Sequence, residues 1–380
     1  MSNSIYRFTI FDSDSFGHGG EKRTAQISEI LLEKGIASER VPTGMDTAGF
    51  SFSNLKKRII ALRYFIKVFK IIGWKFHPKK FYKTIGLVSQ FKGVFNLPKN
   101  KTSNVILLEA SRMEYSFIIP EFKRLGLKII AIPHNIESFV PGLRSGITNK
   151  MSPEWFMEEV GLLKECDIVF AISKEDTLLL KQMGVKVEYL PYYPTKTTLE
   201  YLVKIRVARG ERTNKDVKRK KVLMLGSAIN HPTKEGMVER VKFFREHIEI
   251  CCDLFVAGYG TDKLECFLET DDNIKLLGEL TENQLSEILM ETDILLIHQP
   301  PTSGALTRII ETLIAGIPIV ANFVASRNYF GTNGLYVYYD DKQLINYLET
   351  VNFPVPEIPE KPMHQITMFQ NTILKFISSE

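Results

Sequence analysis

Short apolar runs alternate along this chain with stretches whose apolar positions recur every three to four residues, the patterns of buried strands and of helices laid on a sheet. In the first half, 5–11, 105–108, 128–132, 167–171 and 187–190 read as strands, with helices over 24–34, 115–125 and 174–183; Ile27, Ile30 and Leu31 mark the buried face of the first helix. In the second half, strands at 222–225, 254–257, 273–276 and 293–297 alternate with helices through 241–244 and over 262–268 and 282–291. Two such βα runs predict an α/β protein with two doubly wound sheets facing one another across a cleft. The segment 191–221 turns instead to proline, lysine and arginine and reads as a boundary. The expected division is an N-terminal domain over 1–195, a linker over 196–220 and a C-terminal domain over 221–352, then a tail and helix over 353–380 placed to return to the first domain.

The pattern is most compact over 302–322, TSGALTRIIETLIAGIPIVAN. Pro300 and Pro301 end the preceding strand, Ser303-Gly304 is expected to open a helix whose free N–H groups could hold an anion, Gly316 stops that helix, and 318–321 starts another strand. Glu311 would lie about two turns inside. A helix N-terminus at a sheet edge with one carboxylate further along suits a nucleotide diphosphate with its ribose; the same residues also fit an ordinary αβ unit.

Three other loops follow predicted strands. In SFGHGGEKR, Gly17, Gly19 and Gly20 would let a ligand approach the backbone, with Arg23 in the first helical turn, although the spacing is not the dinucleotide fingerprint. The run Pro133-His134-Asn135-Ile136-Glu137 follows the strand at 128–132, where open α/β sheets place ligands; a turn-forming Asn and a surface His are the plain alternative. After 222–225 come Gly226-Ser227, Asn230, Pro232, Lys234 and Gly236, in which Gly226 could admit a phosphate and Lys234 neutralise it.

Length and charge narrow the classes. At 380 residues and 44% hydrophobic the chain can build two cores, and its net charge of +5 is small, with no segment resembling a nucleic-acid-binding tail. Cys166, Cys251, Cys252 and Cys266 have neither CxxC nor zinc spacing. No leader or membrane-length apolar stretch is recognisable, which predicts a cytoplasmic protein. Asp12 and Asp14 directly follow the first strand and read as turn and cap residues, so no metal site and no cofactor is expected.

The charge is unevenly spread. Residues 55–83 carry Lys56, Lys57, Arg58, Arg63, Lys67, Lys70, Lys75, Lys79, Lys80 and Lys83 without an acidic residue, interleaved with Trp74, Phe76, Phe81 and other aromatics. At about 100° per residue Leu55, Ile59, Leu62, Ile66 and Phe69 share one face, with a basic stripe beside it. An interfacial helix on anionic lipid and a sheet-packed helix with solvated lysines both fit this pattern.

Taken in order, these motifs resemble the GT-B-fold glycosyltransferases, and among them the retaining family-four (glycosyl transferases group 1) enzymes. The resemblance covers nearly the whole chain and rests on GGxxR at Gly19, Gly20 and Arg23, HNIE from His134, ISK at 172–174, LGSAINHPTKEG from Leu225, VAGYG from Val256, LLGEL from Leu276, and SGALTRIIETLIAGIPIVAN from Ser303. It implies a nucleotide-sugar donor, a glycan or lipid-linked acceptor, and work in polysaccharide or glycoconjugate synthesis without a metal. By the same resemblance His134, Lys234 and Glu311 serve the reaction. Gly20, Arg23, Gly226, Ser227, Leu277, Ser303, Gly304, Leu306, Thr307 and Glu311 line the donor site, and Gly19, Asn135 and Glu137 lie on the acceptor side. Two positions depart from the pattern: the family's first glutamate is here Ser303, and its phosphate-binding arginine is Ser227. A sugar-nucleotide epimerase and a non-catalytic partner subunit of the same fold are the alternatives.

Overall fold

The computed structural model describes residues 4–41, 66, 94, 97, 103–109, 116, 118–140, 154–211, 219–264, 272–349 and 351–378. The chain divides into two compact units. One comprises Met1–Tyr192, Ser303–Ala305 and Pro362–Glu380, and the other Tyr193–Thr302 and Leu306–Lys361.

The first unit runs β1 (Ser4–Phe8), α1 (Gly19–Glu33), β2 (Ala37–Arg40), β3 (Val105–Leu108), α2 (Ile119–Arg124), β4 (Lys128–Ala131), α3 (Glu154–Lys164), β5 (Ile168–Ala171), α4 (Lys174–Gln182) and β6 (Val187–Tyr189). Its strands form a parallel sheet in the order β2-β1-β3-β4-β5-β6. The strands read as unbroken apolar runs because both faces are covered: Tyr6, Leu108, Phe122 and Trp155 pack on one side, Ile5, Ile27, Ile30 and Phe170 on the other. Strand order reverses between β1 and β3, so the loops leaving those strands flank a crevice.

The second unit runs α5 (Lys196–Gly210), β7 (Lys220–Leu225), α6 (His231–Glu246), β8 (Cys252–Ala257), β9 (Ile274–Gly278), α7 (Glu282–Glu291), β10 (Ile294–Ile297), α8 (Thr307–Ile314), β11 (Ile319–Asn322), β12 (Leu335–Tyr338) and α9 (Asp341–Glu349). Its six parallel strands lie in the order β12-β11-β10-β7-β8-β9, the nucleotide-binding order, with the reversal between β7 and β10. A last helix, α10 (Met363–Ser378), belongs to the first unit. Its Ile366, Phe369 and Ile373 are buried, and Gln370 donates to the Ile30 carbonyl at 3.0 Å.

Several sequence expectations need correction. The supposed linker over 196–220 begins with α5, capped by Thr195 and buried through Leu202 and Ile205 among Ile309 and Leu313. Its arginines are structural: Arg206 donates to the Leu313 and Ile314 carbonyls at the end of α8, and Arg209 to those of Leu289 and Met290 near the end of α7. Cations suit helix C-termini, so charge here marks docking rather than a solvated linker. The key helix opens at Thr307 instead of Ser303-Gly304, which puts Glu311 one turn inside it, not two. Of the helix expected over 262–268, a 3-10 turn, Thr261–Lys263, is described and 265–268 lie outside the described residues; so does the basic stretch 55–83, Ile66 apart. Among the described residues no helix is long and apolar enough to cross a membrane.

Candidate functional site

In the second unit the site is built where β7 and β10 meet. Leu225 ends β7, and the chain turns through Gly226 and Ser227 into α6, whose N-terminus is capped by Asn230 accepting from the Thr233 N–H at 3.2 Å. The turn is closely packed: a Cβ on Gly226 would lie 2.3 Å from Arg308 Nη1, and one on Gly258 would lie 2.1 Å from the Gly226 carbonyl oxygen. Both loops must be glycine for the strand ends to touch. The Gly226 N–H is taken by the Ala257 carbonyl at 3.0 Å and the Ala228 N–H by that of Tyr259 at 2.9 Å. Gly226 therefore serves loop packing, and its own amide is not available to a phosphate.

Next to this turn, α8 begins without a side-chain cap at Leu306, leaving the first-turn N–H groups of Thr307 and Arg308 pointing from its N-terminus. Arg308 crosses to β7, where its Nη1 donates to the Leu225 carbonyl at 2.8 Å. Its Nε is buried without a hydrogen-bond partner, and burial lowers its pKa to about 10. Glu311 lies buried one turn further along. Lys234 sits exposed in the first turns of α6, Ser227 is half-buried with its hydroxyl accepting from the Ile229 N–H, and Leu277 and Leu306 pack against the core beneath.

In the first unit a second set gathers at the carboxyl ends of β1, β3 and β4. His18 caps α1, its Nδ1 accepting from the Gly20 N–H at 3.1 Å while Glu21 accepts from the His18 N–H at 2.9 Å. The Phe11 ring lies between His18 and His134, with centroids 4.9 and 5.3 Å away. It also fills the space beside Gly20, where a Cβ would meet it at 2.6 Å. Gly20 thus makes room for Phe11; Gly19 is the first residue of α1.

His134 Nε2 and Asn135 Oδ1 are both buried without a hydrogen-bond partner. Burial, with Arg23 and His18 nearby, brings His134 down to about 4 against the pull of Glu109, so the imidazole is neutral at pH 7. Glu109, at the end of β3, is paired with Arg7 and accepts from the Thr24 hydroxyl at 2.7 Å. Burial works to raise its carboxyl, but Arg7 and these hydrogen bonds outweigh it and hold it below the ordinary value. Beyond Asn135, Glu137 opens a 3-10 turn whose Glu137 and Ser138 N–H groups donate to Glu159, a carboxyl that burial pushes up to about 7.

Three expected donor residues take other work. Arg23 is buried with its guanidinium donating to the Leu190 and Pro191 carbonyls at 2.6 and 3.1 Å and to Gln26. Such a fork, filled by fixed acceptors, is a poor partner for a phosphate. Ser303 exchanges hydrogen bonds with the backbone of Ile136, both at 2.9 Å, and the Gly304 N–H donates to Asp176 at 3.0 Å. Gly304 adopts φ +82°, and a Cβ there would crowd the His134 carbonyl at 3.0 Å. These contacts hold 303–305 out of the helix. Asp14 accepts from the Phe16 N–H, the turn role expected of it, whereas Asp12, expected in a turn or cap, pairs with Arg40 on the surface. Among the described residues no cluster of His, Cys, Asp or Glu is arranged to hold a metal ion.

Sequence reasoning missed Arg308, Phe11 and Glu109. Each reaches its place through strand order, and Arg308 alone carried a signal, as the one cation within the 302–322 stretch.

No protein-family model and no curated protein sequence matches the chain. Solved structures do match. Sucrose-phosphate synthase from Thermosynechococcus elongatus superposes with a TM-score of 0.59 at 12% identity, over 90% of this chain and 88% of that one. The catalytic domain of starch synthase IV from Arabidopsis thaliana, bound to ADP and acarbose, gives 0.55 at 11% identity over 99% of both chains. Anabaena HepE in complex with UDP-glucose gives 0.53 at 11% identity over 99% of this chain and all of that one, 100%. The fold is that of the GT-B glycosyltransferases, two Rossmann-like domains each built on a parallel sheet.

Proposed function

We propose that the chain is a glycosyltransferase that moves a sugar from a nucleotide-diphosphate sugar to a glycan or lipid-linked acceptor, retaining configuration and using no metal, in the synthesis of a surface polysaccharide or glycoconjugate. The observation that carries this reading is the convergence, at the order reversal of the second sheet, of the turn after β7 and the uncapped N-terminus of α8. A diphosphate at that point would meet aligned N–H groups around Leu306 and Thr307. Glu311, one turn further along α8, would accept from the ribose hydroxyls. Lys234, exposed in the first turns of α6, would add a mobile positive charge. That neighbours of this fold hold ADP or UDP-glucose supports the same assignment.

In the reaction, the bond between the anomeric carbon and the diphosphate breaks as one forms to the acceptor oxygen. Attack on the face from which the diphosphate leaves would let a phosphate oxygen take the acceptor proton, so that no protein base is required. What the protein must supply is stabilisation of the leaving charge by fixed donors and cations. His134, neutral at pH 7 and with a buried Nε2 lacking a partner, suits hydrogen bonding to a sugar hydroxyl rather than charge stabilisation.

The test is a panel of UDP-, GDP- and ADP-sugars incubated with the purified protein, with and without a lipid-linked acceptor and with and without EDTA. Transfer only in the presence of acceptor, unaffected by chelation, is expected. A changed nucleotide sugar released without acceptor would make the protein an epimerase. Failure of UDP, GDP and ADP at millimolar concentration to raise the melting temperature would remove the donor site altogether.

A further inference from the structure

Four arginines in this fold illustrate how an enclosed guanidinium is normally satisfied. Arg7 pairs with Glu109, Arg240 with Asp341 and Glu239, Arg23 takes two carbonyls and Gln26, and Arg206 takes the Leu313 and Ile314 carbonyls. Arg308 differs from all of them. Its Nε is buried without a partner, as those of Arg23 and Arg240 also are, but it has a single hydrogen bond, to the Leu225 carbonyl, where each of the others has at least two partners. Among the described residues no carboxylate pairs with it. Although the residue as a whole is only half-buried, burial of its guanidinium disfavours the charged form, and no neighbouring group counteracts that.

The position of this charge matters as much as its isolation. Arg308 is the second residue of α8, so its guanidinium and the uncapped N-terminus of the helix present positive potential together. It reaches the carboxyl end of β7, the strand at which sheet order reverses, and touches the space beside Gly226 and the Thr233 methyl. This is one residue from Ser227, the place where the resemblance called for a phosphate-binding arginine and the sequence has none.

We infer that Arg308 is the fixed cationic contact to the diphosphate of the donor, a charge supplied from the helix after β10 in place of the one missing from the turn after β7. The inference rests on the nucleotide-sugar reading above and assigns its anion contact to a residue outside the motif. It also explains why an enclosed cation without a carboxylate is retained: the bound diphosphate is its counter-ion. A planar guanidinium held at one end by the Leu225 carbonyl keeps its remaining N–H groups for phosphate oxygens.

Calorimetric titration of UDP, GDP and ADP into the wild type, Arg308→Met and Arg308→Lys tests it, each at low and high salt, alongside the melting temperature of the ligand-free proteins. Whichever diphosphate binds the wild type should lose at least tenfold in affinity with Arg308→Met, and Arg308→Lys should regain part of the loss. The salt dependence of binding should weaken in the Met variant, while its ligand-free melting temperature should match or exceed that of the wild type. Wild-type affinity in Arg308→Met would overturn the inference and leave the donor site standing. So would a loss that Lys does not restore and that accompanies a lowered ligand-free melting temperature, since that is the mark of a structural arginine. If no diphosphate binds the wild type, the donor reading and this inference fail together.

Discussion

At the scale of single residues, Glu311 and His134 lead to opposite kinds of prediction. Glu311 is buried in α8, and a carboxylate accepts from ribose hydroxyls more strongly than the amide of a glutamine does. Glu311→Gln is expected to lower kcat/KM about tenfold, corresponding to about 1.4 kcal/mol, with an unchanged circular dichroism spectrum. Full activity in that variant would reduce α8 to a support for the sheet. For His134 the sign follows from its pKa of about 4, below the ordinary 6.5. The folded protein stays neutral at this position while the unfolded chain takes up a proton below pH 6.5, so the stability held above that pH is lost as pH falls towards 4. Urea unfolding at pH 7.5 and pH 5 should therefore show the wild type losing stability relative to His134→Gln. An equal difference between the two proteins at both pH values would mean that the imidazole titrates freely.

At the scale of elements, α6 is held against β10 more tightly than its amphipathic pattern requires. A Cβ on Gly236 would fall 1.8 Å from the His298 carbonyl oxygen, where only a shift of backbone could relieve the clash. Gly236→Ala, which in an exposed helix would stabilise, is expected here to lower stability by about 1–3 kcal/mol through overpacking. Thermal unfolding measures it, and a raised melting temperature would show that the helix moves without loss. Because Lys234 and the Asn230 cap ride on the same helix, nucleotide affinity should fall in the same variant.

The whole molecule adds the basic stretch over 55–83, whose ten lysines and arginines carry no acidic residue among them. Each Lys or Arg near an anionic leaflet is worth about 1 kcal/mol, so a few of them would hold the protein at a membrane surface, with Trp74, Phe76 or Phe81 adding the apolar part. A peripheral position on the inner face of a membrane suits a lipid-linked acceptor. Co-sedimentation with anionic vesicles should succeed, weaken as salt rises, and drop when Lys67, Lys70, Lys79 and Lys80 become Glu. Equal recovery with neutral vesicles, or none with either, would refute the membrane position without touching the donor site.

What the sequence determined by itself was whatever depends on neighbours along the chain: the alternation of apolar strands and amphipathic helices, the glycines at strand ends, and a helix carrying Glu311 between two prolines and Gly316. These are local properties of backbone conformation and periodicity, and they were enough to predict two doubly wound sheets. Which arginine is free to meet an anion was not of this kind. Arg23 follows a glycine loop, near the start of α1, and looks available, yet the Leu190 and Pro191 carbonyls, more than 160 positions away, take its fork. Arg308 stands inside a helix and looks structural, yet strand order brings it to the Leu225 carbonyl, and among the described residues no carboxylate forms an ion pair with it. The same holds for Ser303-Gly304, which the Ile136 backbone and Asp176 draw out of helical conformation, and for 196–210, where helix ends waiting for cations turned an expected linker into α5. Hydrogen-bond satisfaction and charge compensation depend on who is adjacent in space, and only the tertiary structure decides that.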